Sequence, residues 1–283
     1  MSTETSASAS STSASRSATS AYLTATRYSL SELARNRFAM GLLVVFVPLW
    51  YFLLGALIDS TPVAFKYAGS GALLQVNSHD LTLMTAGLNA ITLIVGFLLF
   101  AQTRSSATFD RRLVLCGYRQ ATLMFAKLTA LVVVAALVAL YAALALLIFW
   151  RPPSLAMIWV GFFGATLIYG ALGLFLGALV TSEVAGFFLV IMVSLFDSFF
   201  QNPVDNPLAN KPELKYFPSY GPTQICVGGG FTHSPTSYGL SSTAVWFVAL
   251  ALLGLFFFWL RTRAWNAGRR PHAIVAAPSA AIG

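Results

Sequence analysis

Leu81-Thr-Leu-Met-Thr-Ala-Gly-Leu-Asn-Ala-Ile-Thr-Leu-Ile-Val-Gly-Phe-Leu-Leu-Phe-Ala-Gln102 contains no charged side chain. A bilayer core about 30 Å thick needs roughly 20 apolar residues in a helix, and this stretch meets that length. Its polar and small residues follow an order. Thr82, Thr85, Asn89, Thr92 and Gly96 fall at alternating spacings of three and four, which places them on one helical stripe. An amide at mid-membrane should face protein or water, not lipid. Two readings stand: the stripe lines a cavity, or it packs against a neighbour with Asn89 as an interhelical hydrogen-bond donor.

Five further stretches have the same character: Phe38–Ile58, Leu128–Trp150, Ala156–Val180, Val184–Phe200 and Thr243–Leu260. With 57% hydrophobic and only 9% charged residues in 283, the chain falls far below the roughly 25% charge of soluble domains. Whole-chain disorder, a disulfide scaffold and a nucleic-acid-binding domain are excluded. No alternating barrel-type pattern occurs, so helices are the spanning solution. The expected fold is an all-α polytopic membrane protein with six transmembrane helices.

Lys and Arg placement sets the orientation. Arg16, Arg27, Arg35 and Arg37 precede the first span. Arg104, Arg111, Arg112, Arg119 and Lys127 separate the second from the third, and Arg261, Arg263, Arg269 and Arg270 follow the sixth. The opposite face holds only Lys66, Arg151, Lys211 and Lys215. The first face is therefore expected to be cytoplasmic, with both termini there. The net charge of +8 is a record of topology. The Ala-rich chain is compatible with a high-GC bacterium and an inner (plasma) membrane location. Cys116 and Cys226 fall on opposite sides and cannot pair within one chain.

Residues 1–20 are rich in Ser and Thr, lack a signal-peptide apolar core, and read as a disordered cytoplasmic tail; residues 266–283 read as a second tail. Residues 21–37 read as an interfacial helix, with Leu23, Leu30 and Leu33 on one side and Arg27, Ser31 and Arg35 on the other. Between the second and third spans, Thr103–Gln120 holds a short helix that Ser105, Ser106 or Thr108 can cap and Gly117 can end. Phe109 and Leu113 share a face of it, flanked by Asp110, Arg111 and Arg112. A simple connector needs no apolar pair, so this reads as a docking element. Residues 201–242 carry half of the 12 prolines. Tyr216–Pro222 and Ile225–Phe231 are nevertheless too apolar for a solvated loop, which suggests an outward-facing, partly re-entrant segment.

In the fourth span, Thr166, Gly170, Gly173 and Gly177 read as helix packing. In the fifth, Phe187, Phe188 and Phe196 face lipid or an apolar substrate, and Asp197 reaches headgroups or a loop cation. No metal or catalytic motif occurs: His79–Asp80 and His233 share the outer face without forming one. No phosphate-binding loop is present, and no extramembrane segment is long enough for a nucleotide-binding domain.

The order of these elements resembles the permease family of ATP-binding-cassette type-2 transporters. The likeness rests on Ser29-Leu-Ser-Glu-Leu-Ala-Arg-Asn-Arg37 leading into the first span, on Phe109-Asp-Arg-Arg-Leu-Val-Leu-Cys-Gly-Tyr-Arg119 followed by Phe125-Ala-Lys127, and on Phe217-Pro-Ser-Tyr-Gly-Pro222 before the last span. It covers roughly residues 21–265. The resemblance implies a permease subunit of an exporter, in a homodimer or heterodimer embedded in membrane lipids. It would be powered by two copies of a separate ATPase that binds ATP and Mg²⁺, with no cofactor, metal, nucleic acid or catalytic residue on this chain. It implies a connecting helix at 21–37 and a coupling helix at Ala107–Gly117, with Phe109, Asp110, Arg111, Arg112 and Leu113 meeting the ATPase. A substrate pathway along the second and fifth spans would involve Thr85, Asn89, Thr92, Phe187, Phe188 and Phe196. The alternatives are a secondary, ATP-independent transporter and a membrane-embedded lipid-modifying enzyme. The first usually keeps ionisable groups near the midplane, and the second needs a polar catalytic cluster.

Overall fold

The computed structural model describes residues 4–206, 208–232 and 237–267, with side chains described between residues 19 and 260. Six helices among them are long and apolar enough to cross a membrane: α2 (Arg37–Leu57), α3 (Ser78–Ser105), α5 (Gln120–Leu146), α6 (Leu155–Leu179), α7 (Glu183–Gln201) and α9 (Ser237–Ala267, apolar as far as Leu260). Helix α1 (Glu4–Arg35) precedes them. Short α4 (Ala107–Leu115) lies between α3 and α5, and α8 (Tyr220–Val227) lies between α7 and α9. The chain is a multi-pass membrane protein.

Burial ranks the helices. Of the most apolar stretch of α3, 89% is buried within the protein, against 17% for α2. Helices α3 and α6 form the central pair, and α2, α5, α7 and α9 surround them. Glycines set the central spacing. A Cβ on Gly173 would strike the main-chain oxygen of Gly96, and one on Gly177 would lie 2.6 Å from the Thr103 Cβ. Gly164 admits Thr243 of α9, and Gly161 admits Cys226 of α8. In lipid no hydrophobic force drives helices together, so close backbone approach must supply the attraction. The packing expected of Gly170, Gly173 and Gly177 is what the structure shows.

Helix α2 contains Pro48. A proline cannot donate to the carbonyl four residues earlier, which here is Val44. Tyr141 of α5 donates to the Val44 oxygen at 2.7 Å, and Tyr51 of α2 donates to the Ala142 oxygen at 3.1 Å. These bonds tie α2 to α5 through backbone groups that lipid could not satisfy.

Four features depart from the sequence-based expectation. Helix α1 starts at Glu4, not Ala21, so residues 4–20 are helical where a disordered tail is expected; no Gly or Pro interrupts the stretch. The inward face of α1 also differs. Tyr22, Ser29 and Leu33 turn toward α3 and α5, whereas Leu23 is exposed. Helix α5 begins at Gln120 and ends at Leu146, because i→i+3 bonds tighten residues 147–149 ahead of Pro152-Pro153. Finally, β1 (Pro62–Lys66) and β2 (Leu73–Asn77) form an antiparallel hairpin between α2 and α3, turning through Gly71 at φ 69°. Its outer edge is closed by two amides. Asn210 accepts from Lys66 N and donates to Ala64 O, and Gln224 accepts from Ala68 N and donates to Lys66 O. Side chains thus occupy backbone groups that an open edge would offer to another strand.

Residues 201–232 hold a 3₁₀ turn (Pro212–Tyr216), α8 and a π-helical turn (Gly228–Thr232). Helix α8 is buried from Gly221 to Val227 between α6 and α9. Cys226 is fully buried and Cys116 is exposed; burial pushes the Cys226 thiol up, holding it in the unreactive protonated form. A maleimide reagent should therefore modify Cys116 on the order of tenfold or more faster than Cys226 in the folded protein. Equal rates, read by mass spectrometry, would show that α8 is not packed in this way.

Candidate functional site

The polar stripe of α3 forms the floor of a cleft. Helices α2 and α7 diverge on either side of it and leave a cavity of about 270 Å³. Thr82, Thr85 and Asn89 lie along the floor, Trp50, Leu54 and Ile58 form the α2 wall, and Leu195, Ser198 and Phe199 form the α7 wall. Asn202 and Asp205 stand at the end nearest the α7 C-terminus. A second niche of about 10 Å³ shares Thr85, Asn89 and Ser198 with the cleft and reaches inward to Tyr169, Ser194 and Ser219. That is room for about one water molecule.

The phase of α7 follows from which of its polar groups turn inward. Val190, Ser194, Asp197 and Gln201 recur at helical spacing and are all buried. Ser194 pairs with Thr92 of α3 at 2.9 Å, and Gln201 donates to the Leu214 oxygen at 3.1 Å. Asp197 does not reach headgroups or a loop cation. It is 2% exposed, and its Oδ2 accepts from the Tyr169 hydroxyl and from Ser219 N.

Hydrogen bonding around the cleft is incomplete. Thr85 satisfies itself on the Leu81 and Thr82 carbonyls, but Trp50 Nε1, Thr82 Oγ1 and Asn89 Oδ1 are buried without partners among the described residues. Each such group costs about 1–3 kcal/mol when left empty-handed. All three belong to residues that line the cleft, although the atoms themselves are closed off from its open space.

Of the six residues expected along a substrate pathway, Thr85, Asn89 and Thr92 line the cleft or its niche, and the three phenylalanines do not. Phe187 stacks on Phe97 at 4.2 Å and meets Phe100 edge-on. Phe188 and Phe196 are exposed on the outer side of α7. Phe199 and Leu195 supply the apolar wall instead. The buried heptad-like positions of α7 fix this rotation, and a helix so rich in Phe carried no signal to distinguish its faces.

At the other end of α3, a single residue, Ser106, separates it from α4. Gly117 adopts φ 94°, with Tyr118 N bonded to Leu113 O and Gly117 N to Val114 O, the two bonds of a Schellman cap. Asp110 turns into the protein rather than outward. It is paired with Lys127 at 2.5 Å, both side chains buried, and Ser106 bridges them. Phe109 stacks on Tyr28 of α1 at 5.0 Å. Arg112 is exposed, and Arg111 and Leu113 are half-buried. Of the five residues expected to dock, Asp110 holds α4 in place and the others remain at or near its surface. Gln102 of α3 donates to Ser29 O and to Glu32, so α1 is fastened to the same end. The Asp110–Lys127 contact spans 17 positions and has no local sequence signature.

His79 and Asp80 contact each other at 3.4 Å, and His233 lies outside the described residues. No family model matches the sequence, and no curated protein matches it either.

Proposed function

We propose that this chain is the membrane-spanning subunit of an exporter, working as one of two copies and powered by a separate ATP-binding-cassette ATPase that docks at α4. The observation that carries this reading is the mounting of α4. A connector of nine residues is fixed to α5 by a buried ion pair and to α1 by an aromatic stack, while Arg112 faces outward. A push on such an element is transmitted to α3, whose polar stripe floors the cleft. The basic end, with Arg104, Arg111, Arg112 and Arg119, is then the cytoplasmic one. In this arrangement α1 is the connecting helix, and α8 belongs to a partly re-entrant segment on the outer side. ATP and Mg²⁺ reside on the partner. Closure of the ATPase dimer moves α4, and the bundle exchanges inward and outward access.

The test is purification from native membranes with ATP hydrolysis as the readout. Activity should accompany the wild-type chain and fall about tenfold with Arg112→Glu, since reversing an interface charge disfavours the correct encounter. Protection of Cys226 from maleimide serves as the fold control. A chain that purifies without any ATPase, or with activity the reversal leaves intact, ends this reading.

Asp197 favours a second reading. A buried carboxylate beside a polar cleft is what an ion-coupled carrier uses. Solute accumulation in proteoliposomes driven by an ion gradient alone, abolished by Asp197→Asn, would decide for it.

A further inference from the structure

At the basic end of the bundle, the corner between α4 and α5 stands off from α9 and leaves an open groove of about 790 Å³. Leu252, Leu255, Phe256 and Trp259 line it from α9, and Arg119 and Ala121 line it from the corner. Behind them Phe258 packs with Met124 of α5, which fixes the two sides relative to each other. Leu252, Phe256 and Trp259 are exposed, and all belong to the apolar stretch of α9 that ends at Leu260. From Leu252 to Trp259 the helix rises about 10 Å, so the groove runs along the membrane normal into the apolar level.

The charge at its mouth has one sign. Arg119 is exposed, and its side chain makes no ion pair or hydrogen bond among the described residues. None of the described residues lining the groove is acidic. Asp110, the one carboxylate between Thr103 and Lys127, is buried against Lys127. Beyond Leu260, α9 continues through Arg261 and Arg263.

This combination selects among occupants. A water-soluble partner reaches Arg119 but not Leu252, which lies about 12 Å along α9 from Leu260. A second copy shares the membrane orientation that its Lys and Arg impose, so it would bring its own basic end against Arg119. A molecule with an anionic head and apolar tails meets both surfaces at once. Arginine pairs with phosphate through parallel N–H donors, and Trp259 sits at the level where aromatic rings meet headgroups.

We propose that the groove is a binding site for one anionic glycerophospholipid, its phosphate on Arg119 and its acyl chains along Leu252, Leu255 and Phe256. Occupied, it joins α9 to the corner that closes α4. The site rests on the fold and not on the transport reading.

The purified full chain in nonionic detergent is titrated with dioleoylphosphatidylglycerol or dioleoylphosphatidylcholine, which carry the same acyl chains. Native mass spectrometry reads the tightest-bound lipid. Phosphatidylglycerol should bind about fivefold more tightly, the worth of one arginine close to an anionic headgroup. Arg119→Gln should remove that preference, and Ala121→Trp, which fills the groove, should weaken phosphatidylglycerol several-fold. Arg37→Gln, at an exposed arginine on α2 outside the groove, should leave the preference intact. Protection of Cys226 from maleimide shows that each variant is folded. Equal affinity for the two lipids, or a preference that survives Arg119→Gln, would overturn the proposal. So would a preference lost equally in Arg37→Gln, which would mean diffuse attraction to the basic end. Displacement of the lipid by millimolar glycerol phosphate would leave a free-anion site only, and a dimer mass that Ala121→Trp abolishes would give the groove to a second copy; either result ends the assignment.

Discussion

Lys127→Met is expected to destabilise the protein by about 3–5 kcal/mol, since it leaves the buried Asp110 carboxylate without its countercharge. Asp110 keeps only the Ser106 hydroxyl, which in the native protein also accepts from Lys127 at 2.6 Å. The ammonium also stands 6.0 Å from the Phe258 ring centre, so its loss weakens the contact between α5 and α9. Thermal unfolding in detergent should show the midpoint falling by about 10 °C. Adding Asp110→Leu should recover much of that loss, because an apolar pair of similar size carries no desolvation cost. The double variant then separates two roles. Stability returns, while α4 is no longer held by charge, and any ATP hydrolysis coupled through it should stay low. A single variant within about 1 kcal/mol of wild type would mean that water reaches the pair.

Gly173→Ala should be nearly as damaging, at about 3 kcal/mol, through a different cause. The added methyl meets the Gly96 carbonyl and lies 3.0 Å from Phe100 N. Main chain cannot rotate away as a side chain can, so α3 and α6 must separate. That separation reaches the Gly177 contact with Thr103 and the Tyr169–Asp197 bond at the niche. Gly41→Ala is the counterpart. Among the described residues nothing lies within 4 Å of its Cβ position, and an interior helical alanine gains up to about 1 kcal/mol over glycine. The same chemical change should thus have opposite signs at two sites in one protein. Equal effects in thermal unfolding would remove close backbone approach as the basis of the α3–α6 pair.

Much of the site could be read before folding was considered. The spacing of Thr82, Thr85, Asn89 and Thr92 put them on one face of α3, because polar groups are rare enough in an apolar helix to mark a face. It left open whether that face lined a cavity or packed, and the structure divides it, with Thr82, Thr85 and Asn89 at the cleft and Thr92 bonded to Ser194 of α7. Gly117 closes α4 for a local reason, since its cap lies within a few residues. Of Ser105, Ser106 and Thr108, Ser106 occupies the N-cap position but makes no side-chain cap bond, its hydroxyl being taken by Asp110 and Lys127. The hairpin at 62–77 carried a weaker signal, short alternation around Ala68-Gly-Ser-Gly71. The amides of Asn210 and Gln224 that close it lie more than 140 positions away in sequence, where no periodicity could point to them.

Hydropathy, the positions of Lys and Arg, and the glycine spacing are properties of a linear chain. They determined that six helices among the described residues are long and apolar enough to span a membrane, which end is basic, and that α6 packs closely. The tertiary structure alone decided which face of α7 turns inward, that Phe199 rather than Phe188 or Phe196 borders the cleft, and that Asp110 and Asp197 are buried rather than displayed. In water, an apolar stripe against a polar background reports a helix's rotation. In a bilayer, lipid and protein interior are equally apolar, so a phenylalanine face reads the same whichever way it points. Only the pairing of scarce polar groups across helices fixes the phase, and those pairings exist only once the helices have met.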